Sequence, residues 1–262
     1  MSDLSLTQLL FIGFAAMGAG AVNALAGGGT LISFPALIAL GMPAIAANVT
    51  NAVALCPGYF GATLAQRPNL QGQRKRLWIC VPAAIVGGLT GGVILLHTRE
   101  RTFQTLVPYM LLLASLLLAV QDRVRAAVLR RLSNPEHGGD ARWAALPVAL
   151  AGVYGGFFSA GMSVIVLAVL GATLDDSLTR LNALKQAVAF SVNVAAAVFF
   201  LFSGHVVWIA AAVMAVGALL GGAIGGRIAG RLRPGVLRWT VVVVGIALAI
   251  CYGWGNWSAG RW

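Results

Sequence analysis

The chain has 262 residues, of which 59% are hydrophobic and only 10% are charged. Soluble domains average about 25% charged residues, and the apolar residues here run in long blocks, so the composition excludes a soluble catalytic domain. The net charge of +11 does not indicate a nucleic-acid partner, because the basic residues lie in short clusters between apolar blocks, as in the loops of membrane proteins.

Apolar blocks fall, in chain order, at residues 5–26, 31–41, 44–65, 77–97, 104–121, 143–159, 161–170, 183–203, 206–226 and 237–255. A helix of about 20 apolar residues crosses a hydrocarbon core of about 30 Å. Blocks 31–41 and 161–170 are too short to span, and each follows a break. The pattern predicts an all-α polytopic membrane protein of about eight helical elements, with the first element of each half broken or re-entrant.

The two halves of the chain match each other. Residues 77–97 align without a gap with residues 207–227, and Trp78, Gly87, Gly91 and Gly92 recur 130 positions later. This indicates an internal duplication, with 1–121 as the first repeat, 122–142 as a basic cytoplasmic linker and 143–262 as the second repeat. The four-residue spacing of Gly87 and Gly91, and that of Gly221 and Gly225, predicts a helix-packing face.

The basic residues distinguish two orientations of the halves. With four full spans in each half, they divide almost evenly between the two sides of the membrane. If each broken element enters and leaves on one side, the second half is inverted and all but three of the 18 basic residues face the cytoplasm. Since cytoplasmic loops carry an excess of Lys and Arg, we predict inverted repeats with both termini outside.

The first break contains three consecutive glycines, each of which costs a helix about 1 kcal/mol relative to alanine. Non-helical backbone at membrane depth is tolerated only where it is buried in protein or faces a water-filled cavity. A helix that begins just after the break presents free N–H groups and a positive dipole end, which together suit an anion. The alternative is that the glycines only allow close packing. The candidate residues here are Asn23, Gly27, Gly28, Gly29 and Thr30.

The second half has a corresponding break with fewer glycines but two hydroxyl groups. Its candidate residues are Ser159, Gly161, Met162 and Ser163. A third group consists of amides and one ammonium at helical spacing, where residues three or four apart share a face. Its members are Asn48, Thr50, Asn51, Asn182, Lys185 and Gln186. Lys185 is the most informative, because intramembrane ionisable groups are functional candidates; the alternative is that it extends to the cytoplasmic surface.

All seven carboxylates fall in predicted loops, and Asp175 and Asp176 are expected to be solvated. A cation path requires carboxylates or stacked carbonyls, so the glycine-rich breaks, the amides and Lys185 favour an anionic substrate. The sequence contains no metal-ligand spacing, phosphate-binding loop or nucleophile elbow. We therefore expect neither enzymatic activity nor a cofactor.

The first-half motifs resemble a known family. The stretch 22–31 with its three glycines, the Gly41-Met42-Pro43 turn and the stretch 47–51 resemble the first conserved stretch of the sulfite exporter TauE/SafE family of membrane permeases. The resemblance implies a multi-pass protein of the bacterial cytoplasmic membrane that transports sulfite, sulfonates, sulfoacetate or thiosulfate. The particular anion, the direction, a coupling ion (H⁺ or Na⁺) and a homo-oligomeric state stay open.

We therefore expect a secondary transporter or facilitator that works by alternating access between the two repeats. The runner-up is a non-transporting membrane scaffold or assembly protein, in which the glycines and amides are packing devices. A membrane-embedded enzyme ranks last, because the apolar segments lack convergent histidines or carboxylates. Solute counterflow in liposomes separates the first two functions.

Overall fold

A computed structural model describes residues 4–25, 28–133, 141–228 and 234–258. These ranges form ten α-helices and no strand. The helices are α1 (Leu6–Leu25), α2 (Thr30–Ala39), α3 (Ala44–Ala65), α4 (Arg74–His97), α5 (Glu100–Ser133), α6 (Arg142–Phe157), α7 (Met162–Thr173), α8 (Leu178–Leu201), α9 (Trp208–Ile228) and α10 (Pro234–Ser258). The prediction of an all-α protein is confirmed, and the two short apolar blocks form the half-length helices α2 and α7.

Helix α5 is longer than the sequence predicts. The predicted linker begins at residue 122, yet α5 continues to Ser133, and residues 134–140 lie outside the described ranges. Asp122 therefore lies within a helix, as does Glu100, so the prediction that all carboxylates lie in loops is wrong for both. The physical reason is that the stretch is rich in Arg, Ala and Leu, which are strong helix formers, so polarity ends the apolar span without ending the helix.

Glycines allow α4 to pack closely on α6, and α1 on α9. A Cβ atom on Gly91 would lie 2.7 Å from the backbone nitrogen of Phe157, and one on Gly221 would lie 2.6 Å from the carbonyl carbon of Met17. Gly87 makes an equally close approach to the backbone of α6. Since backbone atoms cannot move aside singly, the packing prediction for these three glycines is confirmed.

Helices of the two halves pair in opposite directions. In α3 and α8, Phe60 packs on Phe190 with 5.8 Å between ring centroids, and the Cys56 thiol donates to Asn193 Oδ1 at 2.9 Å. Residue numbers thus rise along one helix as they fall along the other. The pair α5 and α10 is also antiparallel, because Pro108 lies beside Gly253 while Asp122, later in α5, pairs with Arg238, earlier in α10.

The half-length helices lie along this α5–α10 pair. Leu31, early in α2, lies beside Gly245, and the carbonyl oxygen of Pro35, later in α2, accepts a hydrogen bond from the Tyr252 hydroxyl at 3.5 Å. Helix α2 is therefore parallel to α10. Helix α7 is parallel to α5, because Gly161 lies beside Ala114 and the Gly171 carbonyl accepts a hydrogen bond from Arg131. Because α5 and α10 are antiparallel, α2 and α7 point in opposite directions.

Four of the described helices are long and apolar enough to cross a membrane, namely Leu6–Asn23 of α1, α4, α5 and α8. The outer surface suits lipid, with exposed Leu, Val and Ile along the helices and exposed tryptophans near helix ends: Trp78, Trp143, Trp208, Trp239 and Trp254. Tryptophan favours the boundary between lipid and water. We call the end where the α3–α4 and α7–α8 connections meet the basic end, since it carries Arg67, Arg74, Lys75, Arg76 and Arg180.

Candidate functional site

The two chain breaks meet inside the protein. The hydroxyl oxygens of Thr30, at the start of α2, and Ser159, in the second break, lie 3.1 Å apart and are buried. One turn further along α2, Phe34 packs edge-on against Phe158 with 5.3 Å between ring centroids. The N-termini of α2 and α7 therefore face each other, and two positive helix-dipole ends converge on one buried point.

The first break is held by a side chain from the helix before it. The backbone N–H of Gly29 donates to Asn23 Oδ1 at 2.8 Å, and the Ser33 hydroxyl donates to the Gly29 carbonyl at 3.2 Å. A Cβ atom on Gly29 would lie 2.9 Å from Asn23 Cγ, and one on Gly28 would lie 2.8 Å from a methyl group of Leu118. Close approach to the backbone of Ala19 therefore requires glycine at position 29, whereas the neighbour of Gly28 is a flexible side chain that can shift. The candidate Gly27 lies outside the described residues.

The second break depends on one glycine conformation and two polar anchors. Gly161 adopts a left-handed φ of +77°, which favours glycine, and α7 starts at the next residue, the buried Met162. The Tyr154 hydroxyl donates to the carbonyl of Ala160 at 2.7 Å, and Asn48 Nδ2 of α3 donates to the last carbonyl of α6 at 2.9 Å. The candidate Ser163 is partly buried in the first turn of α7.

The candidates on α3 differ in their partners. Thr50 Oγ1 accepts a hydrogen bond from the backbone N–H of Val207, at 3.0 Å, which ties α3 to the α8–α9 connection. Asn51 is 0% exposed, and neither its amide nitrogen nor its amide oxygen has a hydrogen-bond partner within the described part of the chain. A buried amide without partners typically costs about 1–3 kcal/mol. Such a group in a native protein requires an explanation.

The candidates on α8 do not lie at the breaks. The Asn182 side-chain amide donates to a backbone carbonyl one turn back in its own helix at 3.0 Å. The backbone carbonyl of Gln186 accepts a hydrogen bond from the Thr63 hydroxyl of α3 at 3.4 Å. Lys185 is partly buried on the same segment. Val192 marks the level of the second break on α8, because both Val192 and Met162 lie beside Gly155. At 1.5 Å per residue, Val192 lies about 10 Å further along α8 than Lys185. The α8 group therefore lies between the breaks and the basic end.

Sequence reasoning missed three carboxylates with defined partners: Glu100, Asp176 and Asp122, the last of which pairs with Arg238. Glu100 accepts hydrogen bonds from the backbone N–H groups of Ala44 and Ile45 (3.1 Å for Ile45), so it caps the N-terminus of α3. Asp176 is partly buried between two arginines, so the expectation that it is solvated is wrong. The four-residue spacing from Asp176 to Arg180 was the one local signal available.

The fold and the facing breaks define a multi-pass α-helical membrane protein with a buried polar centre. The chain belongs to the sulfite exporter TauE/SafE family, whose model matches residues 12–252. It is therefore a multi-pass transporter-family protein of the bacterial inner membrane, and four of the described helices are long and apolar enough to cross that membrane.

Relatives from three bacteria carry transporter names. A "Probable membrane transporter protein" of Haemophilus influenzae is 27% identical over 227 residues, which cover 83% of this chain and 83% of the relative. "Probable membrane transporter protein YfcA" of Escherichia coli K12 is 25% identical over 256 residues, covering 95% and 90%. "Probable membrane transporter protein ORF9" of a Sinorhizobium species is 26% identical over 254 residues, covering 95% and 94%. No solved structure gives a significant match.

Proposed function

We propose that this protein is a secondary transporter or facilitator for small sulfur-containing anions such as sulfite, sulfonates, sulfoacetate or thiosulfate. The observation that carries the proposal is the meeting of two half-helix N-termini at the buried contact between Thr30 and Ser159. Discontinuous helices with such ends recur at the binding sites of transporters. The family name supports a sulfur oxyanion as the substrate class.

The chemistry of the meeting point favours an anion over a cation. In this proposal Thr30 and Ser159 supply hydroxyl donors, and the buried Asn51 supplies an amide that has no partner among the described residues. We propose that backbone N–H groups of the breaks complete the same shell, and none of these groups carries a negative charge. An oxyanion accepts several such hydrogen bonds at once. Hydroxyl and amide oxygens can also hold a cation, so it is the convergence of two positive helix-dipole ends that favours an anion.

Lys185, Asn182 and Gln186 form a second group that an anion passes on its way to the basic end. An ammonium raises the local concentration of anions within about 8–10 Å at physiological salt. In this proposal Lys185 attracts the anion, while the hydroxyls and amides at the breaks bind it. The candidates Asn23, Asn48 and Thr50 shape the site, since each already has one polar atom in a hydrogen bond to the protein.

The proposed mechanism is alternating access between two inverted repeats. The antiparallel pairing of α3 with α8, and of α5 with α10, supports the inversion. So does the clustering of basic residues at one end, which the positive-inside rule assigns to the cytoplasm. Rocking one repeat against the other would separate Thr30 from Ser159 and expose the site to one side at a time.

Solute exchange in proteoliposomes tests the function. We expect counterflow of radiolabelled sulfite or sulfonate with the wild-type protein, and a loss of about 10- to 100-fold in affinity for Thr30→Val, because a hydrogen bond to a charged group is worth about 1.5–3 kcal/mol. Thr90→Val is the matched control, since Thr90 lies exposed on α4 and bonds only its own helix. A scaffold gives no exchange with any anion.

A second substitution tests the α8 group. Lys185→Ala should raise the substrate concentration needed for half-maximal uptake several-fold, because an attracting charge is lost. Lys75→Ala at the basic end controls for net charge. Unchanged uptake and affinity with Lys185→Ala would remove Lys185 from the transport path.

A further inference from the structure

A cluster of charged groups joins the two halves at the basic end. Arg76, in the first turn of α4, donates from Nη1 to the carboxylate of Asp176 and from Nη2 to the backbone carbonyl of Asp175 at 3.1 Å. Asp176 lies in the α7–α8 connection and belongs to the second half. Its side chain is 16% exposed and that of Arg76 is 23% exposed, so this pair is partly shielded from water.

Arg180 completes the cluster from the first turn of α8. Its Nε donates to the same carboxylate oxygen of Asp176 at 2.9 Å, and its Nη1 donates to the backbone carbonyl of Gln71 at 2.9 Å. In the other direction, Nε2 of the buried Gln73 donates to the Arg180 carbonyl at 3.0 Å. Side chains from each half thus bond the backbone of the other half.

The cluster lies at the basic end, on the connection that leads from the second break to the α8 group. The α7–α8 connection follows α7, which starts at the second break, and precedes the α8 segment that carries Lys185. Hydrogen bonds hold segments 67–76 and 175–180 together, so an anion that entered between the halves here would require these segments to separate. The opposite end is joined by a different contact, the hydrogen bond from the Val207 N–H to Thr50 Oγ1.

The carboxylate at the centre stays ionised. Burial acts to raise the pKa of Asp176, but the hydrogen bonds from Arg180, from the Ser177 N–H and from Arg76 outweigh it, so the pKa lies below its ordinary value. Two guanidinium groups therefore surround one fixed negative charge. A guanidinium group binds the oxygens of a sulfonate or sulfite by the same geometry with which it binds a carboxylate.

We propose that Arg76, Asp176 and Arg180 form the gate at the basic end, and that Asp176 is an internal competitor of the transported anion. In the closed gate the carboxylate occupies both guanidinium groups, and when the segments separate these groups bind the entering or leaving anion. The proposal rests on the function proposed above. It adds Arg76 and Arg180 to the substrate path, and it assigns Asp176 the role of closing the gate in competition with the anion.

The first test measures opening without measuring transport. In a background where Cys56, Cys80 and Cys251 are serine, a single cysteine at position 159 reports access to the breaks. We expect Asp176→Asn to raise its labelling rate about tenfold when a membrane-impermeant maleimide is applied to the basic end of vesicles, because the closed gate loses its charge-assisted bonds. An unchanged rate overturns the gate.

The matched control is Asp122→Asn. It neutralises a carboxylate that also pairs with an arginine between the halves at the basic end, but this side chain is 68% exposed and links α5 to α10. Labelling at position 159 should stay at the background rate. Equal acceleration by both substitutions would mean that general loosening, not this cluster, opens the end.

A charge exchange separates gating from misfolding. The double substitution Arg76→Asp with Asp176→Arg keeps two arginines and one aspartate in the cluster, so it should return labelling at position 159 toward the background rate. Continued fast labelling, in a protein that elutes as a single species in detergent, would show that the electrostatic pairing does not close the gate.

The second test addresses the competition. Methanesulfonate should bind Asp176→Asn several-fold more tightly than wild type in a thermal-shift titration, and Arg76→Gln added to Asp176→Asn should remove the gain. Equal or weaker binding by Asp176→Asn overturns the competitor role. The labelling result does not depend on the transported solute, so absence of sulfite or sulfonate exchange with accelerated labelling would reject the proposed substrates and retain the gate.

Discussion

Replacement of Gly29 by alanine tests how the first break is built. The backbone at Gly29 is helical, with φ −58° and ψ −32°, so alanine fits the conformation and any cost is steric. Its Cβ would lie 2.9 Å from Asn23 Cγ and closer still to the carbonyl of Ala19. To make room, α2 must move away from α1, and the bond from the Gly29 N–H to Asn23 Oδ1 is lost.

The expected cost follows from these two terms. Overpacking costs about 1–3 kcal/mol, and a lost hydrogen bond costs about 1 kcal/mol more, so the free energy of unfolding should fall by about 2–4 kcal/mol. Gly18→Ala is the matched control in α1, because a Cβ there meets no atom within 4 Å. It should stabilise the helix by about 0.5–1 kcal/mol.

The assay is unfolding in mixed detergent micelles, with sulfonate uptake measured on the same preparations. Gly29→Ala should be less stable than wild type and should slow uptake, while Gly18→Ala should be slightly more stable and should keep the wild-type uptake. If Gly29→Ala unfolds with the wild-type free energy, or if Gly18→Ala loses as much, close approach at the first break does not require glycine.

Three further outcomes are expected. Cysteines that replace Thr30 and Ser159 should form a reducible crosslink under mild oxidation, because the native oxygens are 3.1 Å apart; the loss of thiol labelling measures it, and single-cysteine controls that lose labelling equally would contradict the contact. Asn51→Leu should raise the free energy of unfolding by about 1–3 kcal/mol, since an unpaired buried amide is removed, yet it should abolish uptake; retained uptake would place Asn51 outside the site. Because the pKa of Asp176 is lowered in the folded protein, its ionised form stabilises the fold above the ordinary aspartate pKa of about 3.9, and this contribution is lost as the pH falls through the lowered value. Melting temperatures from pH 7 to pH 3 should therefore converge between wild type and Asp176→Asn at the acid end, and parallel curves would contradict this.

Local sequence signals predicted the segments well. Blocks 31–41 and 161–170 were identified as half-length because ten or so residues cannot cross the hydrocarbon core, and α2 and α7 have those lengths. The same kind of reasoning failed at α5, where polarity marked the end of an apolar span and helix propensity carried the helix on to Ser133. Hydropathy indicates whether a segment lies in lipid or in water, but it does not indicate where a helix ends.

The candidate site was only partly predictable. Spacing along α8 grouped Asn182, Lys185 and Gln186, but spacing cannot tell that the Asn182 amide bonds within its own helix or that the group lies away from the breaks. Asp176 was expected to be solvated, because its partner Arg76 lies 100 positions earlier and nothing near either residue indicates the other.

The sequence by itself determined the class of protein, the apolar segments and the two breaks, because each is carried by residues adjacent in the chain; the duplicated unit stays a prediction. Only the tertiary structure decided that Thr30 meets Ser159 across 129 positions and that Asp176 lies between two arginines from different halves. The physical reason is that these contacts depend on the antiparallel α5–α10 pair, which orients α2 and α7 toward each other. That arrangement results from the packing of the whole bundle, to which every helix contributes.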